Sequence, residues 1–157
     1  MAINIFGGHY TLGVAITNPG AVTNLQVASS AAKAFALIAA AIEPAQAALV
    51  TEAGAVGRIV RKTVLGTGTT SIAASTWMNH DGGPDSVLVG SHTATTEGTD
   101  TDLIPFGWNS KAGWYWTPTP EEYIICPVGV ANGIAIKHAT APPAGVYVFR
   151  MTVVELG

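Results

Sequence analysis

The sequence predicts an all-β protein, an antiparallel β-sandwich of the jelly-roll type. Three observations carry that prediction. The last third of the chain alternates apolar and polar side chains with a period of two: Tyr147, Phe149, Met151 and Val153 fall on one face, and Val146, Val148, Arg150 and Thr152 on the other. Short runs rich in β-branched and aromatic residues recur along the chain at about 8–12 residues, each closed by Gly, Pro, Asn or Asp. Finally, 48% of the 157 residues are hydrophobic and only 11% charged, against about 25% charged in an ordinary soluble domain.

Taken in order, Met1–Tyr10 reads as an arm or an edge strand, because Ile3-Asn4-Ile5-Phe6 is broken by Gly7-Gly8. Residues 11–157 read as one sandwich domain. Leu12, Val14 and Ile16 form a first strand ended by Asn18-Pro19-Gly20, and Val22–Val27 a second. The Ala-rich 28–49 segment is ambiguous. Alanine favours helix, and Ala31, Phe35, Ile38 and Ile42 mark a helical face before Pro44. Yet Phe35, Leu37 and Ala39 alternate, and with strands on both sides we read Lys33–Ile42 as strand, a short helix being the alternative. Further strands are predicted over Gly57–Leu65, Thr69–Ala74, Val87–Ser91 and Leu103–Trp108. Asn79–Ser86 reads as a turn cluster, and the Thr-rich, acidic 91–102 segment as an exposed loop. After Trp114-Tyr115-Trp116, turns at Thr117–Glu122, 128–132 and Pro142–Gly145 separate the last three strands, Tyr123–Pro127, Ile134–His138 and Val146–Glu155.

The composition narrows the function classes. The longest unbroken apolar run, Ala34–Ile42, is nine residues, against the roughly 20 of a membrane-spanning helix, so no membrane span is expected. A secretory signal is not expected either, because no cationic region precedes an apolar one at the N-terminus. Net charge is −3, with Arg58, Arg61 and Lys62 clustered and Asp81, Asp85, Glu97, Asp100 and Asp102 in a window without Lys or Arg. Nucleic-acid binding wants a continuous basic stripe, so these patches suit a complementary protein contact instead. Low charge with a mean hydropathy of +0.37 predicts a surface covered by association. The single Cys126 leaves no intrachain disulfide and reads as a small buried hydrophobe.

Catalytic motifs are not expected. His9, His80, His92 and His138 follow no ligand spacing; a metal loop at His80, Asp81 and Asp85 competes with an Asx-stabilised turn, which fits the residue types better. Glu121 and Glu122 are adjacent, whereas glycosidic acid and base must flank one bond across a cleft. We therefore expect no catalytic residue, no cofactor and no metal. Because Trp114 and Trp116 share parity and Tyr115 opposes them, at least one of these rings should face outward or into a partner. Trp108, Trp114 and Trp116 are candidates for a protein interface, together with Arg58, Arg61, Lys62, Glu97, Asp100 and Asp102. Trp108, Trp114, Tyr115 and Trp116 with Asn109 and Asp102 could instead stack on a sugar.

The C-terminal half also resembles a known group. Trp116, then Pro120-Glu121-Glu122 before an apolar strand through Ile125 to Pro127, then Gly133-Ile134-x-Ile136 and the alternating Val146–Glu155 strand carry the likeness. Upstream, Arg61-x-Thr63-x-x-Gly66 fits as well. Over about residues 55–155 this is similar to small phage and prophage virion proteins with jelly-roll-like sandwiches; the 28–49 segment and the Gly-Gly N-terminus depart from them. The resemblance implies a capsid decoration or cement role at the virion surface as a multimer, and implies no catalytic residues. The expectation is therefore a homotrimer bound to the major capsid protein, with a tail- or fibre-associated carbohydrate-binding module as the alternative.

Overall fold

The structure, a computed structural model, describes residues 8–46 and 50–157. Residues 1–7 of the expected arm or edge strand lie outside the described residues; His9 and Tyr10 already belong to the first strand. Twelve strands are described: β1 (His9–Thr17), β2 (Thr23–Ala28), β3 (Ala34–Pro44), β4 (Gly54–Val64), β5 (Thr70–Ile72), β6 (Met78–Asn79), β7 (Val89–His92), β8 (Thr99–Asn109), β9 (Trp114–Trp116), β10 (Ile124–Cys126), β11 (Gly133–His138) and β12 (Val146–Leu156). All pair antiparallel in two sheets.

The first sheet runs β10-β3-β12-β1-β6, with β9 also on β3; the second runs β5-β7-β2-β11-β4-β8. Setting aside β5, β6 and β7, the chain builds a first sheet of β1, β12, β3 and the β9/β10 pair that shares one edge of β3. It builds a second sheet of β2, β11, β4 and β8. That connectivity is the jelly roll, two Greek keys folded into facing sheets. The extra strands all come from the β4–β8 connection and widen both sheets on the side of β1 and β2.

Alternation places the core as the sequence predicts. Tyr147, Phe149, Met151 and Val153 of β12 are fully buried between the sheets, facing Leu25, Ile59, Ile134 and Ile136. Each such side chain contributes about 1.5–3 kcal/mol by leaving water. Two aromatic groups close the open sides of the sandwich. Phe106 of β8 stacks on Trp114 of β9 at 3.6 Å between ring centroids and 10° between planes, joining the two sheets. On the other side, Trp77 packs over Gly90, where a Cβ would stand 2.6 Å from the indole.

The Ala-rich segment is strand, not helix. Its pairing with β12 passes from Leu37↔Val153 to Ala39↔Thr152 and skips Ile38. One extra residue reverses the parity, so Phe35 and Leu37 point inward before it and Ala40 and Ile42 after it. The 91–102 segment differs from expectation more strongly. Thr99–Asp102 opens the 11-residue β8, and Ala94 is buried, because Thr93–Gly98 folds back over the second sheet. Predicted Thr69–Ala74 shortens to β5 and runs into a 3-10 turn at Ala74–Thr76. The Asn79–Ser86 turn is held by the Asn79 side chain. Its Oδ1 accepts from the Asp81 and Gly82 amides and its Nδ2 donates to Gly83 and Pro84 carbonyls.

Candidate functional site

Polar chemistry concentrates on the outer face of the second sheet. Lys62 of β4 lies between Gly133 of β11 and Asp100 of β8 in register. Its parity is that of Val60, opposite to the inward Ile59, so its side chain leaves the core. It is nonetheless 0% exposed. Leu65–Gly68 and Thr93–Gly98 fold over this face, tied together by Thr67–Thr96 pairing, by Gln26 bonding Gly66 in both directions, and by the Ala94 amide donating to Thr23.

Under that cover four charges meet. Lys62 Nζ lies 3.0 Å from Glu97 Oε2 and 3.1 Å from Asp100 Oδ2. Lys137 Nζ lies 2.9 Å from Asp100 Oδ2 and 3.4 Å from Glu97 Oε2. Glu97 is further anchored by Thr23, whose amide donates to Oε1 and whose hydroxyl donates to Oε2 at 2.7 Å. Burial pushes the Glu97 carboxyl up, but the Thr23 donors and the Lys62 ammonium outweigh it, leaving the group below its ordinary range. Burial likewise opposes ionisation of Asp100, and Lys137 and Lys62 outweigh it. Lys137 is held above its usual value because Asp100 and Glu97 overcome its own desolvation. The quartet is charge-balanced, which is what makes burying it tolerable.

A second polar group lies in the core. His138, fully buried at the end of β11, receives a hydrogen bond on Nε2 from Trp108 Nε1 at 3.0 Å, and its Nδ1 is 2.5 Å from Asn24 Oδ1. Indole is only a donor, so Nε2 is the acceptor and Nδ1 carries the proton. Asn24 reaches this position because the β2–β11 register skips it between Leu25↔Ile136 and Thr23↔Lys137. Burial lowers the imidazole to about 4, so it is neutral at ordinary pH.

The residues expected at a contact surface separate accordingly. Lys62 and Trp108 are interior to this chain, Glu97 and Asp100 hold Lys62, and Trp114 is half-buried on Phe106. Trp116 lies half-buried at the sheet edge beside Ala40. Arg58 pairs with Asp102 at 2.5 Å, both well exposed, and Arg61 donates to the Ile125 carbonyl at 2.7 Å, linking β4 to β10 across the sandwich. Arg58 and Lys62 of the basic cluster thus meet Glu97, Asp100 and Asp102 of the acidic window inside one chain, while Arg61 is spent on a backbone carbonyl. Sequence reasoning passed over Lys137, Thr23 and Asn24; only Lys137 gave a signal, as a charge on the face of β11 opposite Ile134 and Ile136.

Apolar side chains also stand outside. Val87, Val89, Val128 and Val130 are between 51% and 69% exposed. They lie at the end of the sandwich where β2 and β10 finish and β3 and β11 begin, the end reached by Ser29–Lys33 and residues 127–132. On the outer face of the first sheet Tyr115 is 63% exposed, as its parity requires, and its hydroxyl donates to Glu43, which also pairs with Arg150 at 3.0 Å. Cys126 is buried, and burial pushes its thiol up, which removes it as a nucleophile. His80 is bonded to Thr11 and stacks against His9.

Comparison with protein-family models, with curated proteins and with solved structures finds no match.

Proposed function

We propose that this chain is a non-enzymatic structural component of a virus particle, a capsid decoration or cement protein that self-associates as a trimer and strengthens contacts between major capsid subunits. The observation that carries the reading is the distribution of polarity. Five of the seven Lys and Arg side chains find partners within the chain, while valines stand in water at one end of the jelly roll. Exposed apolar patches of this kind mark surfaces that other molecules cover. Binding to the assembled shell then stabilises it by mass action, without chemistry. The test adds purified chain to shells lacking it and follows their heat resistance. Occupancy with a raised disruption temperature supports the reading, with Val128→Asp/Val130→Asp losing both; unaltered shells contradict it.

A carbohydrate-binding role has one observation in its favour, the outward Tyr115 ring with Glu43 and Arg150 beside it. Saturable glycan binding abolished by Tyr115→Ala would displace the structural reading.

A further inference from the structure

We propose that Lys62 and Asp100 condense to an intramolecular amide, a covalent cross-link between β4 and β8, with Glu97 as proton carrier and Lys137 as the group that neutralises charge on the reacting carboxyl. The inference is independent of the virion reading.

The geometry supplies each part. The nucleophile is an amine with no solvent exposure, so no water competes for it. The electrophile is the carboxyl of its cross-strand partner, 3.1 Å away, in a register that fixes the two side chains together. Glu97 Oε2 is 3.0 Å from the same Nζ and is itself held by Thr23, so it can take a proton without drifting. Lys137 Nζ is 2.9 Å from Asp100 Oδ2, where negative charge gathers as the carboxyl carbon becomes tetrahedral. Leu65 and Ala94 belong to the two segments folded over the group, and Ala94 is buried.

The balance closes within the quartet. Glu97 accepts a proton from the Lys62 ammonium, and the free amine attacks Cγ of Asp100, forming the C–N bond. Glu97 then passes that proton, and a second one from the same nitrogen, to one carboxyl oxygen. The C–O bond breaks and that oxygen leaves as water. An ammonium and a carboxylate are consumed, an amide and one water are formed, and no oxidant or reductant is involved. Glu97 and Lys137 are left as one ion pair. Reaction proceeds from the minor form in which Glu97 holds the proton taken from Lys62. The product holds two fewer buried charges, and that drives the reaction forward.

Intact-mass measurement of the purified, folded chain is the test, followed by peptide mapping. The wild type is expected to be lighter than its sequence by one water, with a branched fragment joining Lys62 to Asp100. Lys62→Arg, which keeps the charge but cannot form this amide, and Glu97→Gln, which cannot carry the proton, are expected at full sequence mass. A wild-type chain at full mass after prolonged incubation overturns the proposal. So does a lost water that maps elsewhere, for instance to ring closure at Asp81-Gly82. Should either variant fail to fold, the wild-type mass and map decide alone.

Discussion

Replacing His138 with Phe should remove most of the acid sensitivity of this fold between pH 6.5 and about 4. In the native state the imidazole is neutral, with Nδ1–H directed at Asn24 and Nε2 accepting from Trp108. Protonating Nε2 would break the Trp108 bond and place a charge beside Phe106 and Phe149. Burial lowers this pKa from 6.5 to about 4. The sign follows: on acidification the unfolded chain takes up a proton near 6.5 that the folded chain refuses until about 4, so stability is full above 6.5 and falls through that interval. At about 1.4 kcal/mol per pKa unit, the loss is about 3 kcal/mol. The Phe variant leaves Trp108 Nε1 and Asn24 Oδ1 unpaired, at about 1–3 kcal/mol each, so it starts below the wild type at neutral pH. The two curves should then converge by pH 4, the variant keeping the smaller slope from His9 and His92, both lowered chiefly by burial, and at the acid end that of Glu97 and Asp100, whose carboxyls lie below their ordinary range. Denaturant unfolding followed by tryptophan fluorescence across this range measures both curves. An equal slope in wild type and variant would refute the assignment of His138 as a buried neutral group.

Neighbours in the basic cluster should respond by very different amounts. Lys62→Ala leaves the Glu97 and Asp100 carboxylates sharing Lys137 as their one remaining cation and should cost about 3 kcal/mol, whereas Arg58→Ala breaks only an exposed pair and should cost less than about 1 kcal/mol; chemical denaturation reads both. Gly57→Ala drives a methyl to 2.5 Å from Phe106 Cζ and 3.0 Å from His138 Nε2, and should cost about 1–3 kcal/mol by overpacking, seen as a lowered Tm. Phe149→Ala, at the centre of the core, should cost about 3–5 kcal/mol in the same assay. Tyr115→Ala should leave stability within about 0.5 kcal/mol, since its ring is mostly in water.

Where side-chain direction follows from simple alternation, the sequence can be read directly. The inward set of β12 and an outward ring among Trp114, Tyr115 and Trp116 are both parity statements; the first holds, and Tyr115 is the ring that faces outward. Legibility fails where a residue is inserted. In β3 the skipped Ile38 spaces the inward residues as 35, 37, 40 and 42, and a separation of seven between Phe35 and Ile42 imitates two helical turns. The bulge and the helix leave the same apolar pattern, and only the partner strand decides between them. Charge is legible as composition but not as pairing. Lys62 is buried by Leu65–Gly68 and Thr93–Gly98, the second of which lies in the Thr-rich, acidic stretch that reads as an exposed loop. The His138 group joins β2, β8 and β11, three strands distant in sequence, and nothing local to any of them announces it.

The proposed cement role requires an outer surface that other protein molecules cover. Quantifying this chain against the major capsid subunit in purified particles tests that most directly. A fixed ratio of the two, retained through repeated purification, is the predicted result. Particles without the chain, with the protein left free as a monomer, would contradict it.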